Sequence, residues 1–142
     1  MRTSVKNITM IKILILFLMG GTIYAGIEVL AREFTHISMF ITGGLCFVLI
    51  GQLKRTGLPV TVQMLISCAI ITALELACGL IVNVWLGLDV WDYSDEPANL
   101  MGQICVNASA IWVFLSFVGI YTNDFARRKM FYEKTAPMKI LP

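Results

Sequence analysis

Charge is scarce in this chain. Asp, Glu, Lys and Arg make up 14% of its 142 residues, where a soluble domain carries about a quarter. That deficit excludes an ordinary cytosolic enzyme and a disordered tail. The net charge is only +2 and no basic block stands beside stacking aromatics, so a nucleic-acid partner is excluded as well. The single histidine, His36, rules out bis-histidine haem ligation and an H-E-x-x-H zinc site within one chain, and it reads as a wetted loop residue. Cys46, Cys68, Cys78 and Cys105 form no C-x-x-C pair and fall inside apolar runs, where cysteine behaves as a small buried apolar residue. A G-x-x-x-x-G-K-[ST] loop is also missing, so the chain hydrolyses no nucleotide by that route. No catalytic residue, cofactor or metal site is expected, and the chain does not read as an enzyme.

What remains is apolar. Hydrophobic residues make up 58% of the chain, with a mean hydropathy of +0.80. Four runs approach or exceed the roughly 20 helical residues that a hydrocarbon core requires. They lie at about 10–31, 37–53, 60–86 and 100–121. The expected fold is an all-α, integral membrane four-helix bundle over residues 1–126, followed by a basic cytoplasmic tail over 127–142. After Arg2, Lys6 and Lys12 the first run continues to Ala31, and Ile23-Tyr24-Ala25 lacks the small first residue of an A-x-A site. It reads as an anchor, not a cleaved leader.

Orientation follows from where the few charges fall. Lys12, Lys54, Arg55, Arg127, Arg128, Lys129, Lys134 and Lys139, with Arg2 and Lys6, all map to one side of the bundle, and only Arg32 maps to the other. Because Lys and Arg are retained on the cytoplasmic side, both termini are expected there. The opposite side holds an acidic loop over residues 87–99, and Trp85, Trp91 and Tyr93 suit an aromatic belt at that interface. The expected location is a membrane, crossed several times. The two halves also echo each other as hairpins, with Glu28 and Glu75 in their first helices and Gly43-Gly44-Leu45-Cys46 matching Gly102-Gln103-Ile104-Cys105, the pattern of a parallel duplication.

Polar residues within the spans are costly unless they face a partner or water. Cys68, Thr72, Glu75, Gly79 and Asn83 recur at helical spacing in the third run, and Asn99, Gln103 and Asn107 in the fourth. Gly21, Ala25 and Glu28 line up in the first, and Thr35, Ser38, Thr42 and Cys46 in the second. Four such stripes suggest a shared interior. With a rise of about 1.5 Å per residue, Glu28 lies roughly 5 Å deep, Asn107 about 10 to 12 Å and Glu75 about 16 Å. This predicts an outward polar cavity holding Glu75, Glu28, Asn107, Gln103 and Asn99, with Trp91, Asp92 and Tyr93 at its mouth, for a cation or small polar solute.

Plainer readings stand beside that one. Glu28 is placed four residues before Arg32, the favourable order for a helical ion pair. Glu75 has no cation within one turn, so another helix, water or a proton must meet its charge. Asn99, Gln103 and Asn107 fit interhelical hydrogen bonding equally well, and Ala69, Ala73 and Ala77 fit a close-packing seam within or between subunits. In the loop, Ser94 or Asp95 suits a helix N-cap and Pro97 a first turn.

The run Trp91-Asp92-Tyr93-Ser94-Asp95-Glu96-Pro97-Ala98-Asn99-Leu100-Met101-Gly102-Gln103-Ile104-Cys105 resembles the W-D-Y-S-D-x-P-x-N-L-x-G-x-I-C signature of the "Putative ABC-transporter type IV" family, the CmpB-like membrane proteins of bacteria. Glu28, Glu75 and Trp112 also match positions of that family, whereas its R-G-F-x-x-G-P segment has no counterpart around Arg32 to Phe40. The resemblance implies a permease-like role in a bacterial inner membrane, as a multi-pass protein. A separate ATPase or other subunit would be a partner, and since the turn over 52–59 is too short for a docking helix, contact would fall to 127–142. A homo-oligomer in the lipid bilayer is expected, because four helices enclose little volume. The alternative is a non-transporting interaction or regulatory protein whose polar stripes are structural.

Overall fold

The computed structural model describes residues 2–135, 137, 139 and 140, with side chains from residue 7 onward. Helix α1 spans Arg2–Arg32, α2 Ile37–Leu53, α3 Val60–Gly79 and α4 Val106–Phe131. A 3-10 turn at Lys54–Thr56 closes α2, and a π-helical turn at Leu80–Trp85 prolongs α3. No strand occurs among the described residues, so the all-α expectation holds. All four helices are long and apolar enough to cross a membrane. Leu14, Leu30, Leu65, Ile111 and Phe114 point outward, as expected where hydrocarbon replaces water as the solvent.

The helix boundaries follow local chemistry. The His36 ring accepts from the Ser38 amide to cap α2, and a left-handed Gly57 (φ 71°) turns the chain towards α3. The fourth helix departs from expectation. It starts six residues later than the hydropathy run suggested, capped by Cys105, whose sulfur accepts from the Ala108 amide. Ser94, Asp95 and Pro97 therefore cap nothing, and residues 86–105 form an irregular structure. At its far end α4 continues to Phe131, so the start of the expected tail is helix, and Arg127 within it is buried.

Packing is tightest between α1 and α2, where glycines remove the side chains that would separate the backbones. A Cβ on Gly20 would fall 2.2 Å from the Phe47 Cβ, and one on Gly43 would fall 2.2 Å from the Tyr24 Cβ. On α3 the buried face runs through Gln63, Ser67, Ile71, Glu75 and Gly79. The expected stripe is thus displaced in its first half: Cys68 and Thr72 face α4 instead, meeting the Ser109 carbonyl and hydroxyl. Ala69, Ala73 and Ala77 are exposed, so they form no seam within the chain.

Candidate functional site

Glu75 sits at the centre of the buried face of α3, 3% exposed. Its two oxygens are met from two other helices. The Tyr24 hydroxyl of α1 donates to Oε1 at 2.7 Å, and the Trp112 indole of α4 donates to Oε2 at 2.6 Å. The donor rings stack on each other, with centroids 5.4 Å apart and planes 22° from parallel. Both donors are neutral, and no salt bridge reaches Glu75 among the described residues. Hydrogen bonding is thus satisfied while the charge is not. A cavity of about 80 Å³ lies beside this cluster, walled by Tyr24, Cys46, Phe47, Ile50, Ile71 and Trp112 among others. Its lining is mostly apolar and includes both donors to Glu75, Tyr24 and Trp112, but not Glu75 itself.

Glu28 is placed differently. Arg32 donates to its Oε1 at 2.5 Å and the Thr35 hydroxyl to its Oε2 at 2.7 Å. Both oxygens are engaged and the charge is neutralised, as the ion-pair reading of Glu28 and Arg32 expects.

The other expected site residues belong to the loop, which ties itself together. Asn83, in the π turn, donates to the Trp91 carbonyl at 3.0 Å and to Gln103 Oε1 at 2.8 Å. Its side-chain oxygen, Oδ1, accepts from the Val90 amide at 2.7 Å. The Trp91 indole donates to the Gln103 carbonyl, and the Gln103 amide group to the Met101 carbonyl. Asn99 bonds the carbonyls of Ser94 and Glu96 and accepts from the Gly102 amide. Asp92 accepts from both the amide and hydroxyl of Ser94, which holds its carboxyl below the usual range. Gly102 is left-handed (φ 69°), and a Cβ there would lie 2.6 Å from Asp92 Oδ1 and from Ser94 Oγ.

Asn99 and Gln103 consequently share no helix face with Asn107, contrary to the expected stripe. Asn107 lies exposed in the first turn of α4, where it donates to Glu96 at 2.8 Å. These residues spend polar atoms on hydrogen bonds within and beside the loop. Val90 and Trp91 carry the loop into the apolar cluster that contains Tyr24, and Tyr93 packs against that cluster, as Trp112 does. Burial, and then the charge of Glu75, push the Tyr93 hydroxyl up to about 12.

The segment folded into this loop is the one whose sequence singled out a family. That family's model, described as "Putative ABC-transporter type IV", matches residues 22–140. The chain belongs to this family. No curated protein and no solved structure matches it. Together with four spanning helices, membership makes this ABC-transporter-type protein a multi-pass membrane protein. Within the matched stretch, Trp91, Asp92, Ser94, Asn99, Gly102 and Gln103 make the hydrogen bonds that tie residues 91–105 to one another and to Asn83.

Sequence reasoning missed Tyr24, which appears in no polar stripe because tyrosine is at home in an apolar run. It also missed the opposite end of the bundle. There Glu133 accepts from Lys12 at 3.0 Å and Arg127 at 3.1 Å, with Arg55 at 3.7 Å. Burial alone would raise the Glu133 carboxyl, but the hydrogen bonds and charges of Lys12 and Arg127 outweigh it and hold the group below its ordinary value. Arg127 in turn donates to Asn123, which donates to the Phe47 carbonyl. Through Arg127 and Glu133 the start of the expected tail is thus tied to α1 and α2.

Proposed function

We propose that this protein is a permease-like transport subunit of a bacterial inner membrane, and that Glu75 is the group on which its solute or a proton is exchanged. One observation carries the reading: a carboxylate buried between three helices is bonded by two neutral donors and, among the described residues, paired with no cation. An ionised carboxylate in such surroundings is expensive, so a proton or a solute cation completes the site. Exchanging one for the other couples solute occupancy to pH. Small cations with apolar surfaces suit the aromatic Tyr24 and Trp112 walls of the adjoining cavity.

The same reading makes the protein an oligomer, with the exposed Ala69, Ala73 and Ala77 line allowing close helix contact between copies. An ATPase partner would meet the cationic end, where Lys129 and Tyr132 are exposed.

The test uses the purified protein in proteoliposomes with Na⁺ and tetramethylammonium as probes. Uptake of one of them that rises with outside pH and vanishes in Glu75→Gln, while Glu75→Asp retains part of it, is the expected result. If wild type and Glu75→Gln behave alike with both probes, the Tyr24–Glu75–Trp112 cluster is a helix clamp and the protein an interaction subunit.

A further inference from the structure

The cationic end of the bundle contains a second polar site, unrelated to Glu75. Two cavities adjoin there. One of about 450 Å³ is lined by Gly51, Lys54, Arg55, Arg127, Glu133, Lys134 and Thr135. The other, about 410 Å³, shares Arg55, Arg127 and Glu133 and adds Lys12 and Gln52. Lys54 is 5% exposed, and its ammonium has no hydrogen-bond partner among the described residues.

The charges around it do not balance. Lys12, Lys54, Arg55, Arg127 and Lys134 face a single wall carboxylate, Glu133, which already engages three of those cations. Asp124 attracts Lys54 and Arg128 repels it; Asp124 pairs with Arg128 through Oδ2 at 3.0 Å, and its Oδ1, like the Lys54 ammonium, has no hydrogen-bond partner among the described residues. A buried ammonium without a hydrogen bond is among the costliest arrangements a fold can carry. Thr135 adds a donor: its oxygen accepts from Arg128 at 2.6 Å, which leaves its hydroxyl proton free to point elsewhere.

We infer that these adjoining cavities bind a phosphate group, with Lys54, Arg55 and Arg127 as its principal ligands and Lys134 and Thr135 at its edge. Guanidinium and ammonium donors converging on one polar cavity are the chemistry that recognises phosphate oxygens. Two sources share that chemistry. The site lies at the end of a membrane bundle, at headgroup level, where an anionic phospholipid presents its phosphodiester; a soluble phosphate would enter from the aqueous side.

Thermal unfolding of the full chain in neutral detergent, with added inorganic phosphate or with phosphatidylglycerol, tests this. Chloride at equal ionic strength and phosphatidylcholine serve as references. Saturable stabilisation by phosphate assigns a soluble ligand, and stabilisation by phosphatidylglycerol with its retention in native mass spectra assigns a lipid. In either arm Lys54→Met raises the half-saturating concentration by about tenfold, Arg55→Gln raises it less, and Lys129→Gln, on the exposed side of α4, leaves it unchanged. Arg55→Gln, whose side chain is largely exposed, carries the test should Lys54→Met fail to fold. Stabilisation no greater than that by chloride and phosphatidylcholine overturns the proposal. So does a Lys54→Met, or failing it an Arg55→Gln, that matches wild type, since Asp124 alone then suffices for Lys54.

Discussion

Tyr24 and Trp112 stack against each other and each donates to a different oxygen of Glu75. The pair thereby links α1 and α4 through a carboxylate on α3. Three helices that share few other polar contacts are held in register at one point, and the stacked rings form part of the wall of the adjoining cavity.

Tyr24→Phe and Trp112→Phe each remove one hydrogen bond to the carboxylate, at a cost of about 1.5 to 3 kcal/mol if Glu75 is ionised and about 1 kcal/mol if it is protonated. Unfolding in detergent at several pH values measures both. Because the two donors share one acceptor, the double variant is expected to deviate from the sum of the singles; strict additivity would show that the cluster does not act as a unit.

Gly20 and Gly43 are expected to tolerate no side chain. Alanine at either would overlap Phe47 or Tyr24, forcing α1 and α2 apart at a cost of about 1 to 3 kcal/mol or more. Gly26, on the same helix, has nothing near its missing Cβ, so Gly26→Ala is expected to stabilise by about 0.5 to 1 kcal/mol through helix propensity. Melting temperatures of the three variants decide this; equal responses would contradict the close approach.

Asn83→Leu is expected to release the loop over residues 91–105 while leaving the helices in place. It abandons the Val90 amide, the Trp91 carbonyl and Gln103 Oε1, at about 1 to 3 kcal/mol for each buried group left unpaired. Limited proteolysis within the loop and a red shift of tryptophan emission, with unchanged helical circular dichroism, are the expected signals. Resistance equal to wild type would show that Asn83 is not the anchor.

The Glu133 cluster predicts a pH dependence of stability. Its carboxyl is held below the ordinary glutamate value in the fold, so the unfolded chain takes up a proton first as pH falls. The stabilisation is fully present above the unfolded value and is lost as pH drops through the folded one. The difference in melting temperature between wild type and Glu133→Gln should therefore be greatest near neutrality and shrink on acidification below the ordinary glutamate range. A difference that grows on acidification would reverse the sign assigned here.

Much of the architecture was legible because a bilayer imposes one-dimensional rules. The α2 boundaries at Ile37 and Leu53 coincide with the apolar run, and the pairing of Glu28 with Arg32 is a matter of helical spacing. The fourth helix was misplaced for a local reason: residues 100–105 are as apolar as a helix start, yet Met101 (φ 54°) and Gly102 (φ 69°) are left-handed, and hydropathy carries no information about dihedral angles. Asn99 and Gln103 were placed on a helix face by the same error. The signature itself was readable as letters, but its meaning as a self-bonded loop lay in contacts with Asn83.

The sequence by itself determined the membrane class, the four spans and the separation of cations from acids, since each follows from hydropathy or charge along the chain. Only the tertiary structure decided what Glu75 meets. Its donors lie 51 and 37 residues away on helices whose apolar composition leaves their rotation open. The rotation is set by which glycines admit which aromatic rings, and by the need of buried polar groups such as Glu75 and Lys54 for partners that a linear sequence does not assign.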